Sequence, residues 1–436
     1  MYDLLIEDAT IVSGRGRRVV DIAVEGGTIT YVGDRPGGGA RKKVSAIGRF
    51  VLPGLIDTHV HLRDPGHPAK EDWGSGSRAA ASGGVTTVLD MPNTNPPTLD
   101  RATWEAKRAL AAASSRVDFG IWIGAAAGNV DALNDLMGSG DACGIKVFMG
   151  ASTGPLLVDD ATLVTLFERT RGLVGVHAED EDMLQAERAL FQHIPSPDHN
   201  AVRPPKAAAA AVRRLLQLVE ANPRPVHICH VSTAMELELL DQPRGRLPVT
   251  VEACPHHLWL STEDALGNRM KCNPPIRSET DRLALWAALK RGRVDSIGSD
   301  HAPHTKEEKQ RPYWEAPSGI PGVETTLPLL GAAVKKGRLT IEKLVELCAE
   351  NPARIFGLTH KGQIRVGADA DLLVWNEGEL VTLEEKDLLT RVGWSPFTGQ
   401  KVAARPEQVF VGGRLVAQRG RIVDDEVRGK LVRPGA

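Results

Sequence analysis

Two histidines one residue apart are the first residues of the chain whose spacing indicates chemistry. His59 and His61 follow an apolar run, Val51 to Ile56, which predicts a short buried strand. Side chains at positions i and i+2 of an extended strand project from the same face, so both imidazoles could reach one cation. Imidazole nitrogens suit zinc and related divalent metals. The pair therefore indicates a metal site, although a strand end with two incidental histidines would give the same pattern.

A further set of potential metal ligands follows later apolar runs. They are Lys146 (in Gly144 to Met149), His177, His230 and Asp300. Each has a structural explanation on its own, since a buried lysine can pair with a carboxylate and a histidine can fill a core position. The carboxyl ends of the strands of a parallel barrel meet at one face, where barrel enzymes place their catalytic groups. The recurrence of these residues at successive strand ends therefore predicts one shared site.

Between residues 53 and 364 the sequence repeats a strand, a loop and a helix. The predicted strands are Gly54 to His59, Val85 to Asp90, Phe119 to Ile123, Gly144 to Phe148, Leu173 to His177, Val226 to His230, Val249 to Glu252 and Val294 to Gly298. Helical patterns between them include Arg101 to Ala113, Ala207 to Ala221 and Asp281 to Arg291. Eight such units predict an α/β protein with a (β/α)8 TIM barrel. A doubly wound open sheet is the alternative, but no Gly-x-Gly-x-x-Gly turn follows the first strand.

Both ends of the chain differ from this middle part. Residues 1 to about 50 and the tail contain short β-type runs separated by glycine turns, with few helical patterns between them. This predicts a small β-sandwich domain built from both chain termini, residues 1–52 plus 365–436, beside a barrel of residues 53–364. Two unrelated terminal arms are the alternative.

Composition excludes some classes of function. The 436 residues include 53 basic and 55 acidic side chains, for a formal net charge of -2, so no strong field attracts nucleic acid or an anionic membrane. The five cysteines do not form the pattern of a disulfide framework. No signal peptide and no long apolar span are evident, so we expect a cytoplasmic protein without nucleic-acid or membrane partners.

Four motifs carry a resemblance to a known family. They are Asp57 to Gly66 (DTHVHLRDPG), Met91 to Thr94 (MPNT), the strand around Lys146, and Asp300 to His304 (DHAPH). With them the chain resembles the amidohydrolase superfamily over nearly its whole length and, within it, the dihydroorotases.

The resemblance implies a binuclear metal site. It implies two zinc ions per chain, bridged by carboxylated Lys146 and a hydroxide. His59 and His61 would hold one ion together with Asp300, and His177 and His230 would hold the other. Asp300 would also be the catalytic proton shuttle.

The lysine, the metal ions and Asp300 of such a site can act together chemically. A lysine must be neutral to react with carbon dioxide, and burial disfavours the charged amine. The resulting carbamate offers two oxygens that can bridge cations. Two cations acidify a shared water and polarise a carbonyl. Asp300 can then move a proton from the nucleophile to the departing amide nitrogen.

Substrate selection must come from groups beside the metals. Arg63 lies two residues beyond His61, where a guanidinium could hold a carboxylate in a bidentate manner. Pairing of Arg63 with Asp64 or Asp72 at the surface is the alternative. The resemblance implies further substrate-binding positions, namely Asn93, Asn273, His304 and the backbone near Ser318 and Gly319. Of these, Asn93 and His304 would contact the substrate carboxylate.

The resemblance also implies substrates and partners. The expected reaction interconverts dihydroorotate and N-carbamoyl-L-aspartate in pyrimidine biosynthesis, and a homodimer and an association with aspartate transcarbamoylase are expected. The alternatives are another cyclic-amide hydrolase (a dihydropyrimidinase, hydantoinase or allantoinase) or a catalytically silent subunit that scaffolds a transcarbamoylase. Cys229 and Glu252 match a third zinc site of animal-type enzymes, but here we expect a buried thiol and a paired carboxylate. Residues 151–155 form a candidate lid.

Overall fold

The computed structural model describes residues 1–152 and 156–435, so part of the candidate lid, residues 153–155, lies outside the described residues. The strands, in chain order, are β1 (Tyr2–Ser13), β2 (Gly16–Glu25), β3 (Thr28–Gly33), β4 (Ala40–Ser45), β5 (Phe50–Pro53), β6 (Leu55–Val60), β7 (Val85–Asp90), β8 (Asp118–Ile121), β9 (Ile123–Gly124), β10 (Ile145–Phe148), β11 (Val174–His177), β12 (Val226–Ile228), β13 (Val249–Ala253), β14 (Ser296–Ile297), β15 (Leu372–Trp375), β16 (Val381–Thr382), β17 (Lys401–Val402), β18 (Gln408–Val411), β19 (Arg414–Gln418) and β20 (Arg421–Ile422).

The helices alternate with the middle strands. They are α1 (Trp73–Ser82), α2 (Arg101–Ser114), α3 (Val130–Gly138), α4 (Asp160–Arg169), α5 (Glu181–Phe191), α6 (His199–Val202), α7 (Pro205–Ala221), α8 (Ala234–Asp241), α9 (Pro255–Trp259), α10 (Glu279–Lys290), α11 (Lys306–Lys309), α12 (Thr326–Lys335), α13 (Ile341–Val345) and α14 (Asn351–Ile355). Aspartate caps begin several of them: the side chain of Asp100, for example, accepts the backbone N–H of Thr103 at the start of α2. No described helix combines the length and the apolar composition that crossing a bilayer requires.

Strands β6 to β14 are parallel and are distributed over two sheets. One parallel sheet joins β6, β7 and β8, and a second joins β9 to β14. Strands β8 and β9 are one stretch of chain interrupted only at Trp122, so the two sheets are continuous. A parallel bridge between Val60 and His301, with a 2.7 Å hydrogen bond from His61 N to His301 O, joins the segment that follows β14 to the end of β6. The predicted (β/α)8 barrel is therefore confirmed.

The predicted apolar run from Val51 to Ile56 divides into two strands. Strand β5 pairs with β1 and β15 in the terminal sheet, whereas β6 belongs to the barrel. Gly54 separates them, and a Cβ there would lie 2.0 Å from Thr86 Oγ1, so only glycine fits. Because both strands are buried, apolar composition alone could not indicate the boundary.

Strands from both chain ends share one sheet of nine strands. Its order is β20-β19-β18-β15-β5-β1-β2-β3, with β4 beside β1. This arrangement confirms a β-rich domain built from both termini. Within the C-terminal part, backbone N–H groups of Leu389 and Thr390 donate to Glu324, and the Trp394 indole donates to His304 O at 2.7 Å. This stretch therefore contacts the barrel. The domain boundaries expected from the sequence, 1–52 plus 365–436 and 53–364, stay a prediction.

Lys361 joins the barrel to the terminal sheet. Its buried ammonium contacts Asp118 at the start of β8, and lies 2.6 Å from Asp371 Oδ2 and 2.8 Å from Asp369 Oδ2. Burial alone would lower the pKa of Lys361, but the three carboxylates raise it well above its usual value. A single cation therefore compensates several acidic groups where the two sheets meet.

We expect Lys361→Met to lower the free energy of unfolding by about 3–5 kcal/mol, because breaking a buried ion pair leaves charges uncompensated. Denaturant unfolding measures this loss. Lys386→Met is the matched control, since Lys386 pairs with Glu384 at the surface, and we expect no measurable change. Equal stability of the two variants would contradict the joining role of Lys361.

Candidate active site

The predicted site residues converge on one cavity at the carboxyl ends of the barrel strands. All of them line it except Lys146, which is buried behind the histidines, and His304, which contacts Arg63. The cavity wall also includes Phe148 and Ala302, which sequence reasoning missed, and Ser152 of the candidate lid. Arg63, His230 and Asp300 have positive φ angles of 61°, 36° and 45°. Such backbone strain is typical of functional sites.

Hydrogen bonds fix the orientation of the first two histidines. His59 Nδ1 donates to Glu252 Oε1 at 2.9 Å, and His61 Nδ1 donates to Asn93 Oδ1 at 2.7 Å. The opposite ring nitrogens, both Nε2, lie 3.3 and 3.0 Å from Asp300 Oδ1. Each imidazole therefore directs its remaining nitrogen toward the same carboxylate. This orientation is typical of metal-binding histidines, whose other N–H is held by an oxygen acceptor.

The other two histidines have a similar arrangement. His177 Nε2 donates to Glu179 Oε2 at 3.0 Å, while His177 Nδ1 lies 3.1 Å from His230 Nε2. Arg203 forms an ion pair with Glu179 and also donates to Ala151 O at 2.9 Å. Burial alone would raise the pKa of Glu179, but Arg203 and His177 hold it below its usual value. Glu179 is therefore an anionic acceptor that orients His177.

The chemistry of these groups fits a divalent metal. Burial, as the largest cause, lowers the pKa values of the four histidines, so each ring is neutral at pH 7 and able to bind a metal. Nitrogen and oxygen atoms of His59, His230 and Asp300 lie within 4.8 Å of one another. Imidazole and carboxylate donors of this kind suit zinc and related ions. The described residues thus include a candidate metal centre where the sequence predicted it.

Lys146 has an unusual environment for a lysine. Its side chain is fully buried, and its Nζ lies 3.1 Å from Cys229 Sγ. Among the described residues, no carboxylate forms an ion pair with it, whereas the nearby buried Lys107 pairs with Asp90. A buried lysine that contacts no carboxylate is unusual, because a buried charge is normally paired. The alternative of a lysine paired with a carboxylate does not hold among these residues.

Glu252 and Cys229 lie close to the first histidine. Ligand atoms of His59, Cys229 and Glu252 lie within 4.8 Å of one another. Glu252 already accepts hydrogen bonds from Thr58 Oγ1 at 2.8 Å, His59 Nδ1 at 2.9 Å and His230 N at 3.1 Å. Burial opposes its ionisation, but contacts with His59 and His227 hold the pKa of Glu252 well below its usual value. The Glu252 carboxylate therefore orients the residues of the site through these contacts.

Arg63 is a buried cation at the cavity wall. Its Nε donates to Pro303 O at 3.2 Å, and its Nη2 lies 3.1 Å from His304 Nε2. No described carboxylate forms an ion pair with it, and Asp72 instead pairs with Arg391. Burial lowers the pKa of Arg63 to about 10, so it remains charged at neutral pH. The cavity therefore offers an anionic group a positive charge that contacts no described carboxylate directly.

Backbone near His304 forms another part of the cavity wall. Ser318 O lies 3.1 Å from His304 Nε2, and burial lowers the pKa of His304 to about 3, so this ring is neutral. Gly319 has a φ of 149°, and a Cβ there would lie 2.3 Å from Ala302 O. Only glycine therefore allows this close approach, which exposes polar backbone groups to the cavity.

Sequence reasoning missed the residues that orient the predicted ones. Glu179 lies two positions after His177, so the alternation of an extended segment could have indicated it. Arg203 and His199 lie at a short helix outside the strand pattern, and His199 Nε2 lies 3.0 Å from Asn273 Oδ1. No spacing in the sequence indicates that contact.

Comparisons with known proteins agree with this geometry. The model of the amidohydrolase family matches residues 50–416. A relative from Halobacterium salinarum named dihydroorotase is 41% identical, over 94% of this chain and 96% of that protein. A relative from Rubrobacter xylanophilus named allantoinase is 39% identical, over 99% of this chain and 98% of that protein. The solved structure of an L-hydantoinase (dihydropyrimidinase) from Arthrobacter aurescens matches with a TM-score of 0.94 and 32% identity, covering 99% of this chain and 100% of that chain.

Removing the charge of Glu179 tests the candidate metal centre. We expect Glu179→Gln to weaken metal retention about 10- to 100-fold, because the partner that orients a metal-binding histidine loses its charge. Elemental analysis after dialysis against graded chelator measures retention. Glu181→Gln is the matched control, since Glu181 accepts from Ala151 N and Gln185 at the start of α5 and contacts none of the four histidines. Retention like that of the unsubstituted protein would contradict the role of Glu179.

Proposed function

The chain belongs to the amidohydrolase family, and we propose that it is a dihydroorotase, which reversibly hydrolyses (S)-dihydroorotate to N-carbamoyl-L-aspartate in pyrimidine biosynthesis. The relative from Halobacterium salinarum, similar over nearly the whole length of both proteins, supports this reaction. The observation that carries the proposal is Arg63, a buried cation at the candidate metal centre without a carboxylate partner among the described residues. Dihydroorotate supplies the missing carboxylate.

We propose two zinc ions as cofactors. His59, His61 and Asp300 would hold one ion, His177 and His230 the other, and carboxylated Lys146 would bridge them. The burial of Lys146 without a contacting carboxylate supports this modification. When bound, the ions would acidify a water molecule and polarise the amide carbonyl.

Asp300 is the proposed proton carrier. Burial raises the pKa of Asp300, which favours its taking up a proton. In hydrolysis, the oxygen of the attacking water forms a bond to the amide carbon, and the Asp300 carboxylate takes up the released proton. The carbon–nitrogen bond then breaks, and Asp300 returns that proton to the departing nitrogen. Ring closure is the same sequence in reverse, so one carboxyl group serves both directions.

Arg63 and His304 would bind the substrate carboxylate. The guanidinium offers a planar fork of donors, and His304 lies beside it. Asn93, next to His61, and the Ser318–Gly319 backbone would complete the contacts with the substrate. Hydrolysis therefore needs the cyclic amide near the histidines while its carboxylate contacts the arginine, and these groups line the same cavity.

Other cyclic amides are the alternative substrates. The Rubrobacter xylanophilus and Arthrobacter aurescens relatives carry the names of an allantoinase and a hydantoinase. Hydantoin, dihydrouracil and allantoin lack a carboxylate, so with any of them Arg63 would gain no contacting carboxylate. A silent scaffold subunit fits less well, because the candidate ligands are all present and oriented. A homodimer, an association with aspartate transcarbamoylase and a cytoplasmic location stay predictions.

Replacement of the arginine tests this assignment. We expect Arg63→Met to cost about 2–5 kcal/mol in transition-state stabilisation for dihydroorotate, because a buried carboxylate loses its partner. That cost corresponds to a fall in kcat/KM of roughly 30-fold to several thousand-fold. Any slow hydrolysis of dihydrouracil should change little, and kinetics on both substrates measures the difference.

Arg213→Met is the matched control for this experiment, since Arg213 is exposed on α7. It should leave both activities unchanged. Metal content is measured for each variant. If Arg63→Met loses both activities in equal proportion, the arginine supports the metal centre and does not select the substrate.

A further inference from the structure

His199 connects a residue outside the cavity wall to one within it. Its Nε2 lies 3.0 Å from Cys272 O and 3.0 Å from Asn273 Oδ1, and its Nδ1 lies 2.6 Å from the Tyr313 hydroxyl. Asn273 lines the cavity, whereas His199 and Tyr313 do not. The three side chains therefore form a relay that ends at the cavity.

The contacts of His199 determine the direction of each hydrogen bond. Burial lowers the pKa of His199 to about 3, so the ring is neutral and carries one proton. The carbonyl oxygen of Cys272 can only accept, so the proton lies on Nε2. Nδ1 is then an acceptor, and the Tyr313 hydroxyl donates to it. The same Nε2–H faces the amide of Asn273, which must therefore turn its oxygen toward His199.

We propose that His199 and Tyr313 are positioning residues that hold the Asn273 amide with its Nδ2 directed into the cavity, where it donates to a carbonyl oxygen of the substrate ring. This inference rests on the proposed function. An asparagine amide can present either its NH2 group or its oxygen to a ligand, and the oxygen would repel a carbonyl. The relay removes that ambiguity before the substrate binds.

The surrounding contacts hold the relay in place. Asn200 Nδ2 donates to Ile276 O at 2.7 Å, so α6 is attached to the same loop at a second point. Lys271 Nζ donates to Tyr313 O at 2.5 Å and lies 4.2 Å from the centre of the tyrosine ring. The histidine and the tyrosine hydroxyl therefore meet in a fixed geometry. Preorganised donors of this kind lower the cost of binding.

Kinetics of single variants measures the effect. We expect His199→Leu to raise KM for dihydroorotate about 5- to 20-fold, with kcat within about threefold, because one neutral hydrogen bond to the substrate is lost or misdirected. His199→Gln should recover part of this loss, since its side-chain amide can still donate. Tyr313→Phe, which keeps the ring, should raise KM about 2- to 5-fold. Tyr31→Phe is the matched control, because the Tyr31 hydroxyl donates to Asp34 O far from the cavity.

A double-mutant cycle separates positioning from general structural damage. In an Asn273→Ala background, His199→Leu should have almost no further effect on KM, because both substitutions remove the same hydrogen bond. If the two substitutions instead raise KM independently, so that their fold changes multiply, the proposal is overturned. Unfolding midpoints and metal content are compared for all variants, so that loss of fold or metal is recognised.

The proton position gives a readout that does not depend on activity. In 15N-histidine-labelled protein, with His199→Gln used to assign the signal, the His199 ring should carry its proton on Nε2. Tyr313→Phe should shift the Nδ1 resonance. A proton on Nδ1 would overturn the proposal. If the protein hydrolyses another cyclic amide instead of dihydroorotate, the proposed function fails, and the same cycle on that amide still tests the relay.

Discussion

The hydrogen bond from His59 Nδ1 to Glu252, and its counterpart from His177 Nε2 to Glu179, fix which ring nitrogens face the cavity. Glu252 lies on β13, and its contacts with Thr58 and the backbone of His230 connect it to β6 and to the end of β12. One buried carboxylate therefore sets the relative position of three strand ends. Because buried carboxylates are costly unless fully paired, these contacts must form together.

Two buried basic side chains distinguish the site from the rest of the protein. Lys107 and Lys361 are buried with acidic partners, as a stable interior requires. Lys146 and Arg63 contact no carboxylate among the described residues; Arg63 lines the cavity, whereas Lys146 is buried outside its wall. Lys146 would carry the carbamate that bridges two metals, and Arg63 would bind the substrate carboxylate. The burial of Lys146 and Arg63 without contacting carboxylates lowers stability at positions that serve the function.

Periodicity and residue spacing predicted the barrel strands and the residues that meet at their ends. His59 and His61 were recognisable because alternation places them on one face of a strand, and Asp300 because it follows the last apolar run. The boundary between β5 and β6 was not recognisable, because both strands are apolar. Glu179 was missed although it lies two positions after His177, whereas His199 was missed because its partner Asn273 is distant in sequence and only the folded loops bring the two close.

The most direct test of the account is the turnover of four cyclic amides by the purified, metal-loaded protein under identical conditions. Dihydroorotate carries a carboxylate, whereas dihydrouracil, hydantoin and allantoin do not. The unpaired charge of Arg63 predicts the highest kcat/KM for dihydroorotate, together with formation of the ring from N-carbamoyl-L-aspartate. A higher kcat/KM for any of the three uncharged amides would contradict the account.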